Sequence, residues 1–358
     1  AFMSPIAARE KAVFRLPEHA DRFLLSASVV KMIPPYGKGE VIRSVKQTVR
    51  ENDLISCYIR PLFFYSYGNL GLVPKASPVH LVIGAWEWGA YLGDKAGAGV
   101  SVYILPWRRI HHSQLDMRAK LGGTYVQSTI CGLEARNHGC DEAVFLNLEG
   151  RIAEGPGENI FIVKNGVVRT NDRSESILEG ITRTSIIEIA RDLGYTVEIG
   201  PMTKADFLAA DELFFTGTAV EVVPIVKALD GSNGPEAKEE HRIGTGEAGP
   251  VTKKLRETYL EIVAGRVPKY EKWLSLPGPR PRRRRKPPRL LLRNGSPSPG
   301  VRLPSRSRRS PRPYPRPREG RLGQRSLGQG RPLPDDRRAP GERRHPDGHL
   351  GRGRGPDR

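Results

Sequence analysis

The chain is 358 residues long, 38% hydrophobic and formally +19 at neutral pH, which is length enough for two ordinary domains around a buried core. All of that charge sits at one end: residues 277–358 hold 24 arginines and one lysine against six acidic groups, so residues 1–276 carry 33 groups of each sign and their function is not to be read as basic. Cys57, Cys131 and Cys140 form no CxxC pair, which argues against a disulfide framework or a thiolate metal site, and the lack of a ~18-residue apolar run or a secretory leader pattern leads to the expectation of a soluble, cytoplasmic protein.

In chain order, the start reads as irregular. Residues 40–52 then place Val41, Val45 and Val49 four apart with Ile42 beside them, the apolar stripe of a helix. Residues 55–65, 79–86 and 100–105 are dense in β-branched and aromatic side chains between Gly, Pro and Asn punctuation, and read as strands. Residues 117–137 read as a helix after a loop. Residues 141–153, 159–168 and 195–199 read as strands, with Asn165-Gly166 as a turn signal. A helix over 182–193 opens just after Gly180, a short one surrounds Phe207, and 212–228 supplies two strands about Thr216-Gly217-Thr218. A helix over 250–264 closes the body. The layout is α+β, with a small α/β domain over 1–106 and a larger β-rich domain with flanking helices over 107–276. Residues 277–358 contain 17 of the 31 prolines and one aromatic residue, Tyr314. Such a segment cannot bury enough apolar surface to offset its ordering entropy, so a disordered tail is expected.

Two short phrases carry candidate chemistry. Ala119-Lys120-Leu121-Gly122-Gly123 sets a lysine beside two glycines, where a planar ligand could approach the backbone; alone, a solvated helix lysine is the plainer reading. Lys120 and Tyr125 lie about 140° apart on a regular helix, so they could share a ligand only if the chain bends at Gly122-Gly123. Gly180-Ile181-Thr182 at a helix start offers free backbone N–H groups and the helix dipole to an anion, or is an ordinary cap.

Taken together with Glu154-Gly-Pro-Gly-Glu158-Asn159-Ile-Phe161 and Leu178-Glu-Gly180-Ile181-Thr182-Arg183, these phrases resemble the class IV aminotransferases. Tyr58-Ile-Arg60-Pro61-Leu62, Trp88-Gly-Ala-Tyr91-Leu-Gly93 and Gly249-Pro-Val-Thr-Lys253 are similar to the branched-chain amino-acid branch of that family, and the resemblance spans about Val13 to Leu276. It implies the fold-type IV architecture, pyridoxal 5′-phosphate as cofactor, and reversible amino transfer between Leu, Ile or Val and 2-oxoglutarate. Lys120 would form the Schiff base and move the substrate proton, a role suited to a lysine whose pKa is lowered by burial and nearby positive charge. Glu154 would face the pyridine nitrogen and Tyr125 the phenolic oxygen. Arg22, Ile181, Thr182 and Thr218 would hold the phosphate. Tyr58, Arg60, Trp88 and Tyr91 would line the substrate pocket, Arg60 and Tyr91 pairing with the glutamate side chain, while the Thr218 and Ala219 amides would meet the substrate carboxylate. The partners implied are small molecules and a second copy of the chain, in a homodimer or higher homo-oligomer, with no membrane.

The sequence departs from the family in three places. The family's opening strands are not represented, so an incomplete small domain with an unpaired sheet edge is expected. Pro156 stands where a small residue is usual and removes a backbone donor. The tail composition is also what a shifted reading frame through GC-rich codons would produce. Other readings are a D-amino-acid transaminase or aminodeoxychorismate lyase, an inactive truncated homologue, and nucleic-acid binding by the basic tail.

Overall fold

The structure, a computed structural model, describes residues 6–7, 12–52, 54, 56–68, 71–74, 77–87, 95–234 and 239–278. Trp88, Tyr91 and the expected tail beyond Gly278 lie outside the described residues.

Two short strands, β1 (Ile6–Ala7) and β2 (Ala12–Phe14), lead into helix α1 (Leu16–Val29) and helix α2 (Lys38–Asn52). The start read as irregular therefore contains a helix of 14 residues. Its apolar stripe is present in the sequence, since Leu16, Ala20, Phe23 and Ala27 are all buried. Its N-terminal signal is not: Arg15 caps the helix in a left-handed conformation with no side-chain cap bond, where Ser, Thr or Asp would announce a start. Strands β3 (Tyr58–Tyr65) and β4 (Val79–Trp86) pair antiparallel in full register, Tyr58 opposite Trp86. Val41, Val45 and Val49 of α2 are fully buried, and Val45 and Val49 share one apolar cluster with Ile59 of β3.

The short helix α3 (Lys95–Ala98) precedes β5 (Val100–Arg108), which spans the 106/107 boundary expected from sequence and pairs in the large sheet on either side of it. Helix α4 (Tyr125–Asn137) begins eight residues later than expected, after a 3-10 turn at Gly122–Thr124. Strand β6 (Glu142–Leu146) is shorter than the expected 141–153, because the chain turns at Asn147 and Gly150 before Ile152 bridges back to Leu146. There follow β7 (Asn159–Lys164), β8 (Val167–Thr170), α5 (Ile181–Asp192), β9 (Val197–Ile199), α6 (Lys204–Leu208), β10 (Glu212–Gly217), β11 (Glu221–Asp230), β12 (Glu239–Arg242), α7 (Pro250–Val263) and β13 (Leu274–Ser275), which closes a three-stranded sheet with β2 and β1.

The eight-stranded sheet runs β6-β5-β11-β10-β7-β8-β9, with β12 beside β11. Its central strands are buried on both faces, which is why they read as unbroken apolar runs. The period of two still sorts them: Ile160, Ile162, Leu213 and Phe215 enter one cluster with Phe207 of α6, while Phe161, Val163 and Phe214 face Ile186 of α5 and Leu255 of α7. Phe161 and Phe214 are directly opposed across the strands, with stacked rings 4.9 Å apart. The described residues group by contact into one unit. The ends of β7 and β10, the first turn of α5 and the approach to α4 open on a common cavity.

Candidate active site

The cavity has a volume of about 370 Å³, in the range of small-molecule sites. It is lined by Arg22, Tyr58, Arg60, Lys120, Tyr125, Glu154, Ile181, Thr182, Thr218 and Ala219, so every expected site residue among the described ones meets there.

Lys120 reaches it from a turn rather than a helix. Leu121 is extended, Gly122–Thr124 makes one 3-10 turn, and α4 starts at Tyr125. That bend brings Lys120 Nζ to donate to the Tyr125 hydroxyl, with the amine 4.9 Å from the centre of the ring. A Cβ on Gly122 or Gly123 would meet nothing within 4 Å, so this stretch faces open space. The Lys120 backbone N–H is fixed by Ser26 Oγ of α1 at 2.9 Å. Burial lowers the ammonium from 10.5 to about 7, with the Arg22 charge acting in the same direction and Glu154 against it. Burial likewise pushes the Tyr125 phenol above its ordinary range.

Glu154 is 4% exposed and is held by a residue the sequence reading missed. Arg109, at the end of β5, donates to its Oε1 from Nε at 3.0 Å and sets Nη2 in an ion pair 2.9 Å from the same oxygen, and the Leu178 N–H donates to Oε2 at 3.0 Å. Burial raises the carboxyl, and Arg109 and the Leu178 amide pull it back. With these donors on both oxygens we read Glu154 as an anion. Asn159 latches the same loop: its Nδ2 donates to Leu178 O at 2.7 Å, and its Oδ1 accepts the Gly180 N–H at 3.1 Å. A Cβ on Gly180 would come within 2.1 Å of Asn159 Oδ1, so only glycine allows this approach. Pro156 sits in a turn closed by Gly155 N–H to Glu158 O at 2.8 Å, where its missing N–H is not called upon.

Several polar groups at the cavity have no hydrogen-bond partner among the described residues: Arg22 Nε, Thr182 Oγ1 and the hydroxyl of Thr216, a further residue the sequence reading did not select. Helix α5 opens on Gly180 without a side-chain cap, leaving its first N–H groups uncapped. A guanidinium, two hydroxyls and a helix N-terminus form a donor set that suits a phosphate. Burial lowers Arg22 to about 10, still a cation at neutral pH. Arg60 also lines the cavity, its guanidinium 5.5 Å from the Tyr58 ring centre and 5.3 Å from that of Trp86, which brace it. Two more buried carboxyls, Glu142 and Glu158, line the cavity, and burial raises both, Glu142 to about 7.

The family described as "Amino-transferase class IV" matches residues 5–228. The chain belongs to the class IV aminotransferases. It is 41% identical over 267 residues to the "Branched-chain-amino-acid aminotransferase" of Pseudomonas aeruginosa, covering 74% of this chain and 83% of that one. Among solved structures, a T.th. branched-chain amino acid aminotransferase with pyridoxamine 5′-phosphate is 42% identical with a TM-score of 0.71, over 77% of this chain and 88% of that chain. The same enzyme complexed with N-(5′-phosphopyridoxyl)-L-glutamate matches at 40% identity, a TM-score of 0.69 and the same coverage. The fold expectation of a class IV aminotransferase with mixed helix and sheet is met. Within that fold, Arg109 escaped the sequence reading because its partner lies 45 residues away and nothing local marks it.

Proposed function

We propose that this class IV aminotransferase transfers an amino group reversibly between Leu, Ile or Val and 2-oxoglutarate, using pyridoxal 5′-phosphate. One observation carries the reading: a lysine whose amine is lowered to about 7 by burial, a locked carboxylate and an anion cradle converge on one cavity from segments far apart in sequence. The likeness to relatives named for branched-chain amino acids sets the substrate class.

Bound cofactor supplies the electron sink that makes the amino acid's Cα–H acidic. The remaining work falls to side chains. Lys120 holds the cofactor and, when freed, carries the proton at Cα; an amine with pKa about 7 both accepts and returns it at neutral pH. The Tyr125 hydroxyl, in contact with the amine, keeps it oriented. The Glu154 carboxylate, fixed by Arg109, favours a protonated pyridine nitrogen. Arg22, the Ile181 and Thr182 amides, and the Thr182 and Thr218 hydroxyls take the phosphate. Tyr58 supplies apolar wall and Arg60 a cation for the glutamate side chain, and the Thr218 and Ala219 amides receive the substrate carboxylate.

We read α1, α2, β3 and β4 as a small domain and the eight-stranded sheet with its helices as the large one. Exposed Val126, Ile130 and Leu133, spaced i, i+4, i+7 on α4, support pairing with a second copy of the chain. Among the described residues no helix is long and apolar enough to cross a membrane, and we place the enzyme in the cytoplasm.

Purified protein should carry a visible cofactor absorbance that Lys120→Ala abolishes, and should consume L-leucine with 2-oxoglutarate. A wild-type protein that takes up no cofactor would refute the assignment. Turnover of D-alanine in place of L-leucine would move it to the D-amino-acid branch.

A further inference from the structure

The helix that carries Arg22 is fastened, at its cap residue, to the helix whose N-terminus opens on the same cavity. Arg15 takes φ 45° and ψ 42°, a left-handed backbone that a residue with a Cβ adopts only at a cost. Its side chain explains why the conformation persists. Nη1 and Nη2 donate to Glu188 Oε1 at 3.0 Å, Nη1 also donates to Ser185 Oγ at 3.1 Å, and the guanidinium stacks 4.4 Å from the Trp273 ring centre.

Ser185 passes this contact on. Its hydroxyl accepts from Arg15 and donates to Ile181 O at 2.8 Å, so Arg15 is tied through one side chain to the first residue of α5. On α1, Arg22 follows Arg15 by seven residues, about two turns and ~10 Å along one face of the helix. One turn further on, Ser26 accepts the Lys120 N–H. Arg15 itself is not among the residues lining the cavity.

We propose that Arg15 is a positioning residue for the cofactor phosphate: through Glu188 and the Ser185–Ile181 hydrogen bond it locks the start of α1 to the first turn of α5, so that Arg22 and the α5 N-terminus are held as one preassembled anion cradle. The inference rests on the reading that this cradle takes the phosphate. Donors fixed in advance bind without a reorganisation cost, and loosening their support weakens only the ligand they grip. A merely structural Arg15 would affect every ligand alike.

The test uses the full chain, stripped of cofactor and titrated with pyridoxal 5′-phosphate and with pyridoxal, which lacks the phosphate, following the absorbance of bound cofactor. Arg15→Gly removes the side chain and relieves the left-handed backbone, Ser185→Ala cuts the link to Ile181, and Arg22→Gln reports on the cradle itself. We expect Arg15→Gly and Ser185→Ala to weaken pyridoxal 5′-phosphate about five- to ten-fold while pyridoxal stays within about two-fold. Adding Arg15→Gly to Arg22→Gln should then cost less than Arg15→Gly costs alone. Equal weakening of both ligands, or no change in either, overturns the proposal. If Arg15→Gly does not fold, Ser185→Ala and Glu188→Gln decide it by the same ratio. If Arg22→Gln also leaves that ratio unaltered, the phosphate reading has failed; if Arg22→Gln changes it and the Arg15 and Ser185 variants do not, only the positioning role has failed.

Discussion

Replacing Arg109 by methionine leaves the Glu154 carboxylate buried without its counter-ion. Both side chains are 6% exposed, so neither solvent nor salt screens the loss. The charge-assisted bond from Nε and the Nη2 ion-pair contact vanish, and the Leu178 N–H at 3.0 Å becomes the main donor left on Glu154. Breaking one partner of a buried pair costs about 3–5 kcal/mol. The carboxyl, already raised by burial, then rises further. A group whose folded pKa lies above its unfolded value loses stability as pH increases through the folded value, so Arg109→Met should be mildest near pH 5 and most harmful near pH 8. The double variant Arg109→Met/Glu154→Gln has no orphan charge and should recover about half of the loss or more. The assay is urea denaturation of cofactor-free protein, because bound cofactor adds its own stabilisation. A destabilisation within about 1 kcal/mol, or a double variant as unstable as the single one, would refute the reasoning and show that Asn159 and the Leu178 loop hold Glu154 unaided.

Three more outcomes follow from the same site. Thr182→Val deletes a buried hydroxyl that has no partner among the described residues, so cofactor-free protein should melt at the same temperature or slightly higher, while pyridoxal 5′-phosphate binds several-fold more weakly by titration. Lys120 is depressed from 10.5 to about 7, so its contribution to cofactor-free stability grows as pH rises between those values. Lys120→Met should therefore gain on wild type at pH 7 relative to pH 10, by at most on the order of 5 kcal/mol in denaturation free energy, and less where water reaches the amine. An unchanged difference between the two pH values would contradict a depressed lysine. Burial raises Glu142 to about 7, so wild type loses stability as pH climbs from 4.5 toward that value. Glu142→Gln should match wild type near pH 4 and exceed it at pH 8, by on the order of 3 kcal/mol at most; parallel stability curves would show that Glu142 ionises freely.

Much of this was legible in one dimension. Residues 79–86 read as a strand from their β-branched and aromatic content, and the run opening at Asn159 did so because a strand buried on both faces of a sheet needs continuous apolar side chains. The family phrases around Lys120, Glu154 and Gly180 were legible because each packs a special backbone need and a chemical group into a few adjacent residues. The helix α1 was not, since its cap is an arginine held in a left-handed conformation by partners 170 and 173 residues away, and no local rule anticipates that.

The sequence by itself determined the family, most of the strands and helices of the body beyond α1, and which lysine, glutamate and arginine are the candidates for chemistry. Only the tertiary structure decided how they act together. It brought Arg109 against Glu154, bent the chain after Lys120 so that its amine meets Tyr125, and fastened α1 to α5 through Arg15 and Ser185. The physical reason is that charge, burial and hydrogen bonding depend on distances through space. A lysine with pKa about 7 is a property of the cavity around it rather than of the residues beside it in the chain.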